Sequence, residues 1–213
     1  LASLGQLTAS IAHEIRNPLA SISGSVELLK SMLPTTGGDQ GRLMDISLRE
    51  ISRLNQLITE FLEFVRPDER KQDPVSLDQL LDEILDMLPL NANLPKVDQI
   101  RDLNSGAYIL GDRNKLKQVF LNLMINAYQA MADAKTKVIS ATTRFEDDAV
   151  VVSIRDTGHG MSTEVQKRLF EPFFTTKPKG TGLGLAVAHK ILETHRADIF
   201  VESHEDKGTE FTI

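Results

Sequence analysis

His13 is followed directly by Glu14, in a stretch whose apolar residues recur at steps of three and four. At about 100° per residue, His13 falls about 160° from both Ile11 and Ile15, on the face opposite the apolar stripe. Its neighbours on that face, Ala9, Ser10, Asn17 and Ala20, are small or polar. An imidazole so placed is open to a nucleotide or to a second protein. Its unperturbed pKa of about 6.5 leaves it neutral at cytosolic pH. A carboxylate beside one ring nitrogen can take its proton and raise the nucleophilicity of the other. A lone exposed histidine on a helix is more often a plain surface residue, so this pair does not establish the chemistry by itself.

Further polar residues gather in the second half of the chain. Asn122 and Asn126 are four apart and share a helix face. A side-chain carbonyl there can ligate Mg²⁺, which keeps most of its waters and takes few protein ligands. Gly180-Thr181-Gly182-Leu183-Gly184-Leu185 opens a helix. Its glycines let backbone N–H groups converge on phosphate oxygens, and the helix start adds a favourable field. The G-x-G-x-G spacing is wrong for a dinucleotide fingerprint, no βαβ unit surrounds it, and no Lys-Ser/Thr follows as in a P-loop. Asp156-Thr157-Gly158-His159-Gly160-Met161 follows a strand-like run; taken alone, D-x-G-x-G also fits a tight turn.

These residues need elements to hold them. Leu7, Ile11, Ile15, Leu19, Ile22, Val26, Leu29 and Leu33 mark one amphipathic helix, interrupted only by Pro18. Pro34 to Gly38 supply turn residues, and Met44, Leu48, Ile51, Leu54, Ile58, Phe61, Leu62 and Val65 mark a second helix. Two long helices with a short loop form a hairpin, and its wide stripe is most simply buried by pairing two copies into a four-helix bundle. After a polar linker at 68–72 the texture becomes mixed. Ser76 caps a helix to about Leu88, with Gln79 at capping-box spacing. Strand-like runs follow at Val97–Leu103 and Ala107–Leu110. Asp112 caps a helix to about Met131. Lys137–Phe145 and Ala149–Arg155 form a hairpin turned at residues 146–148. A short helix follows Ser162, a longer one covers Leu183–Thr194, and strands at Asp198–Ser203 and Thr209–Ile213 close the sequence. The fold class is α+β.

Composition excludes several functions. The 213 residues are 41% hydrophobic and 25% charged with a net charge of −6, and no basic block interleaved with aromatics speaks for nucleic acid. With no cysteine, disulfides and thiolate metal sites are ruled out. No apolar run approaches the roughly 20 residues that cross a bilayer. The chain begins at Leu1 inside a helical pattern and reads as a soluble fragment.

Ser10-Ile11-Ala12-His13-Glu14-Ile15-Arg16-Asn17-Pro18-Leu19 resembles the H-box of sensor histidine kinases of two-component systems. Gln118 to Ala127 resembles the N-box of that family, Asp156 to Met161 its G1 box, Phe170-Glu171-Pro172-Phe173-Phe174 its F-box, Gly180 to Leu185 its G2 box, and Gly208-Thr209-Glu210-Phe211 its last element. The motifs stand in family order and span essentially the whole chain. The short segment between Phe174 and Gly182 and the run Asn126 to Ala130 resemble the nitrogen- and pilus-regulation subgroup.

The resemblance implies a dimerisation and phosphotransfer hairpin at 1–67 and, at 73–213, an ATP-binding domain with the Bergerat-type α/β sandwich shared with gyrase, Hsp90-type chaperones and mismatch-repair ATPases. It implies ATP and Mg²⁺ as cofactors. His13 becomes the phospho-acceptor, Glu14 its base and Asn126 the metal ligand, with Asn122 beside it. The Asp156 carboxylate accepts from the adenine amino group, while Gly158 and Gly160 bring backbone close to the base, next to Met161. Lys177 and Lys179 lie in the ATP lid with Thr181, and the backbone of Gly180, Gly182, Leu183, Gly184 and Leu185 receives phosphate; Thr209 completes the set. Many family members carry a basic residue where Gln129 stands. The implied partners are a second copy of the chain and the receiver domain of a response regulator, in the cytoplasm, with attachment of a longer protein to a membrane left open. Glu followed three residues later by Thr or Asn marks members that double as phosphatases, and Glu14-Ile15-Arg16-Asn17 fits.

Two other functions fit less well. A relative that hydrolyses ATP to drive conformational change places a Glu where Asn122 stands. A non-enzymatic adaptor of this fold would lack some ATP-site residues.

Overall fold

The computed structural model describes residues 2–32, 39–65, 72–177 and 180–213, with the side chains of 2–14, 16 and 63 outside the description. The chain divides into two compact units, Leu1–Pro67 and Asp68–Ile213.

The first unit is a helical hairpin of α1 (Ala2–Met32) packed on α2 (Asp39–Val65), with Pro18 inside α1 and no break assigned there. The Lys30 ammonium and the Asp45 carboxylate join the helices at 2.7 Å. Among the described apolar residues only Ile51 is buried, whereas Ile22, Leu29 and Leu54 are about half exposed. Each lies on the stripe that periodicity marks as core. A two-helix hairpin has no third surface to cover such a stripe.

Among the described residues the second unit is built from α3 (Leu77–Met87), α4 (Arg113–Ala130), α5 (Thr163–Arg168) and α6 (Gly184–Thr194) with seven strands. Strands β2 (Asp98–Leu103), β4 (Val138–Glu146), β5 (Ala149–Asp156), β7 (Gly208–Thr212) and β6 (Phe200–His204) make one sheet in that spatial order. Only the β2–β4 pair is parallel. Strand β1 (Asp73–Ser76) pairs antiparallel with β3 (Tyr108–Gly111) in a separate two-stranded sheet.

Alternation decides which sheet face is covered. Ile139, Ala141 and Thr143 of β4 and Val152, Ile154 and Asp156 of β5 are buried, and the intervening residues, such as Ser140 opposite Arg155, are polar. Three helices supply the covering apolar surface: Leu80, Leu81, Ile84 and Leu85 from α3, Phe120, Leu123, Met124 and Tyr128 from α4, and Ala188, Ile191 and Leu192 from α6. Each such large side chain contributes about 1.5–3 kcal/mol relative to exposure. Gln99 of β2 fixes the layers in register by donating to the Leu85 carbonyl at 2.7 Å and to the Tyr128 hydroxyl at 2.8 Å.

Local signals account for the boundaries. The Ser76 side chain accepts from the Gln79 N–H, and the Asp112 carboxylate accepts from the Asn114 and Lys115 N–H groups. The β4–β5 hairpin turns on Asp147 and Asp148, both at positive φ, the geometry of a two-residue turn matched to strand twist. The strand β1 was not anticipated, since only Val75 of its four residues is buried.

Candidate functional site

In the hairpin, His13 and Glu14 lie on the α1 backbone, and their side chains fall outside the described residues. Asn17 is exposed one turn further on. Pro18 brings no N–H, so the Glu14 carbonyl has no i+4 helical donor.

In the second unit, β5 ends at Asp156, which is 4% exposed. The Gly158 N–H donates to its Oδ1 at 2.7 Å, and the Thr209 N–H also bonds the carboxylate. Burial pushes the Asp156 carboxyl above the ordinary range, while those two bonds and the charge of Lys177 act in the opposite direction. The Thr209 side chain is itself buried, its hydroxyl 2.9 Å from that of Ser203. Ser203 Oγ also accepts the Met161 N–H at 2.8 Å, and Gln166 Nε2 donates to the carbonyls of Met161 and Ser203 at 3.0 and 2.8 Å. Met161 and Thr209 are thus held by one polar cluster that motif reading did not identify, because Gln166 and Ser203 lie outside every motif.

The glycines of this turn are required by the packing of the chain itself. A Cβ on Gly158 would stand 2.8 Å from the backbone of Ala130, and one on Gly160, at φ +68°, would stand 1.9 Å from the His204 carbonyl oxygen. The space they save is taken by the protein's own backbone. The His159 N–H donates to the Ala130 carbonyl at 3.2 Å, tying the turn to the end of α4.

A second cluster forms where α4, α6 and the segment after Phe174 meet. The Lys177 ammonium donates to Asn126 Oδ1 and to Gln129 Oε1, at 2.6 Å each. Burial lowers its pKa to about 8, against the opposing charge of Asp156. Asn122 Nδ2 donates to the Gly184 carbonyl at 2.9 Å. The Phe173 N–H donates to the Gly182 carbonyl at 2.9 Å, and Gly182, at φ +71°, has no room for a Cβ beside Phe173. The Gly180 N–H donates to the Lys177 carbonyl at 3.1 Å. Thr181 Oγ1 accepts from the Leu183 N–H at 3.4 Å; Leu183 is wholly buried, so only its backbone can face a ligand. The N-cap residue Leu183 offers no side-chain acceptor to the start of α6, where Gly184 and Leu185 begin the helix. Lys179 lies outside the described residues.

The arrangement fits a nucleotide. Asp156 offers a buried acceptor, and the N–H groups opening α6 behind an apolar N-cap residue suit phosphate. Asn126 Oδ1 already accepts from a cation, so its orientation suits a metal ion that needs few protein ligands. Among the described residues no group of three or more His, Cys, Asp or Glu could hold a metal.

Residues 3–70 match the family model of the His Kinase A (phospho-acceptor) domain. Residues 111–213 match that of the histidine kinase-, DNA gyrase B- and HSP90-like ATPase. Signal transduction histidine-protein kinase AtoS of Escherichia coli (strain K12) is 41% identical over 214 residues, covering 100% of this chain and 35% of that protein. Sporulation kinase E of Bacillus subtilis (strain 168) is 39% identical, covering 99% of this chain and 28% of its own length. The chain therefore spans about a third of the length of these two relatives. Among solved structures, full-length ShkA in complex with AMPPNP is similar with a TM-score of 0.79 and 26% identity, over 97% of this chain and 44% of that one. The histidine kinase ThkA in complex with the response regulator protein TrrA is similar with a TM-score of 0.68 and 28% identity, over 100% of this chain and 61% of that one.

Proposed function

Because this chain belongs to the histidine kinase family, we propose that it phosphorylates His13 with ATP and passes the phosphoryl group to an aspartate of a response regulator. One observation carries this reading: a phospho-acceptor domain containing His13 and an ATPase domain containing Asp156 and Asn126 follow each other in a single chain. An ATP hydrolase has no use for the first of these.

In the proposed reaction one imidazole nitrogen of His13 attacks the γ-phosphorus in line. A P–N bond forms, the bond to the β,γ-bridging oxygen breaks, and ADP leaves with that electron pair. Glu14 takes the proton from the other ring nitrogen. Most of the catalysis is positioning and charge neutralisation. Asp156 accepts from the adenine amino group, the N–H groups from Gly182 to Leu185 receive phosphate oxygens, and Lys177 adds positive charge. Asn126 would hold Mg²⁺, which neutralises phosphate charge when bound.

Pairing of two copies through the hairpin is part of the proposal, supported by the half-exposed stripe of Ile22, Leu29 and Leu54. ThkA was solved with a response regulator, which supports a receiver domain as the second partner here. No described helix is long and apolar enough to cross a membrane. A reaction that consumes ATP puts this core in the cytoplasm, whatever a longer protein attaches it to.

Incubation with γ-labelled ATP should label the chain with phosphate that is acid-labile and base-stable, as a phosphoramidate is. His13→Gln should abolish the label and leave nucleotide affinity nearly unchanged. A mutant that still acquires acid-labile phosphate would show that another residue is the acceptor.

A further inference from the structure

Asn126 and Gln129 stand three residues apart on α4, so their amides leave neighbouring positions of one helix face. Lys177 bridges them, with its ammonium 2.6 Å from each amide oxygen. Its backbone is fixed as well: the N–H donates to Thr175 Oγ1 at 3.1 Å, and the carbonyl accepts from the Gly180 N–H at 3.1 Å. An ammonium has three N–H donors, and the two amides use two of them.

We propose, on the nucleotide-binding reading above, that Gln129 is a positioning residue that holds the Lys177 ammonium at the phosphate end of the site. Three physical points support it. A lysine side chain has many rotamers to lose, and a seat that orders it beforehand lowers the cost of gripping an anion. A divalent cation on Asn126 Oδ1 repels the ammonium that shares that oxygen, and Gln129 Oε1 is then the seat that remains. A neutral amide orients the ammonium without cancelling its charge, so the full charge stays available to a triphosphate. A carboxylate at position 129 would hold the lysine and neutralise it.

Calorimetric titration of the full chain with Mg-AMPPNP and with adenosine tests this, since adenosine carries no phosphate. Gln129 is exposed, so replacing it leaves the core intact. Gln129→Met should weaken Mg-AMPPNP about three- to tenfold, as expected for a part-exposed charged hydrogen bond, and leave adenosine binding unchanged. In a Lys177→Met background the same change should cost nothing further. Gln129→Lys combined with Lys177→Met should recover most of the lost affinity, because it returns an ammonium to the same place. The proposal is overturned if Gln129→Met leaves Mg-AMPPNP binding unchanged or tighter, if its loss persists in the Lys177→Met background, or if the charge transfer rescues nothing. Wild-type protein that binds neither ligand would overturn the nucleotide reading itself, and this inference with it.

Discussion

Asn122 Nδ2 donates to the carbonyl of Gly184 at 2.9 Å, joining the middle of α4 to the first residue of α6. The backbone proposed to receive phosphate is thereby fastened to the helix that carries Asn126. Asn122→Ala should lower stability by about 1 kcal/mol, the usual net worth of such a bond, and weaken nucleotide binding as the α6 start loosens. Asn122→Asp should be worse, since it sets a carboxylate against a carbonyl with no donor between them. Urea unfolding of both variants checks the order. An Asp variant as stable as the wild type would show that the bond is not structural.

Much of this architecture was legible from residues alone, for identifiable reasons. Leu116, Val119, Phe120, Leu123, Met124, Ala127 and Tyr128 repeat at helical spacing, and they are the residues α4 buries. Strand β1 was not legible, because Asp73-Pro74-Val75-Ser76 is a strand only through its pairing with Tyr108–Gly111. The spatial order of the sheet is likewise a tertiary property. At the site, the motifs placed Asp156, Asn126 and Lys177 together, yet the packing reason for the G1 glycines lies in the backbone of Ala130, at the far end of the Asn126–Ala130 run, and in His204, which no motif includes. The Lys177–Gln129 bond spans 48 residues of sequence and leaves no local signature.

Asp156 should trade stability for binding. Burial raises its folded-state pKa, so the folded chain holds this proton more tightly than the unfolded chain does. Its contribution to stability is full below the ordinary carboxylate range and is lost as pH rises through the raised value. Above that raised value the ionised group is therefore a cost to the fold. Asp156→Asn should melt higher than wild type at pH 7, with the gain vanishing toward about pH 4. The same variant should bind ATP roughly 10–150-fold more weakly, the loss of a buried charged hydrogen bond. Wild type should prefer ATP to GTP, whose carbonyl would face the carboxylate. Equal affinity for both nucleotides would refute the assignment.

Asp78 should behave with the opposite sign. Burial acts to raise its pKa, but hydrogen bonds from Thr143, Ser105 and the Gly106 N–H outweigh it and hold the carboxyl below the ordinary range. The distances are 2.5 Å to Thr143 Oγ1, 2.7 Å to Ser105 Oγ and 2.9 Å to the Gly106 nitrogen. This carboxylate ties α3 to β4 and to the segment between β2 and β3. Its stabilisation is present above the ordinary carboxylate range and lost as pH falls through the depressed value. Asp78→Ala should cost about 1–3 kcal/mol at pH 7, part of it from leaving the wholly buried Thr143 hydroxyl without this acceptor. The gap between variant and wild type should narrow in acid. A pH-independent difference in melting temperature would mean that packing, not the ionised carboxylate, is what the substitution removes.

Asn17 should support removal of phosphate from the partner regulator. It follows His13 by four residues on α1, about 40° round the helix, and its side chain is exposed. A regulator docked with its phospho-aspartate near His13 would therefore also lie beside Asn17. An amide can orient a water for attack on that acyl phosphate with no shift of its own protonation. The competing explanation is local: a residue before proline is pushed away from helical geometry, and Asn17 would merely ease the chain into Pro18. Asn17→Ala separates the two when autophosphorylation is measured alongside the lifetime of phosphorylated regulator in the presence of ADP. Autophosphorylation should survive, while regulator dephosphorylation slows at least tenfold, about 1.4 kcal/mol of barrier. If both activities fall together, Asn17 shapes the helix around His13 and has no part in positioning water.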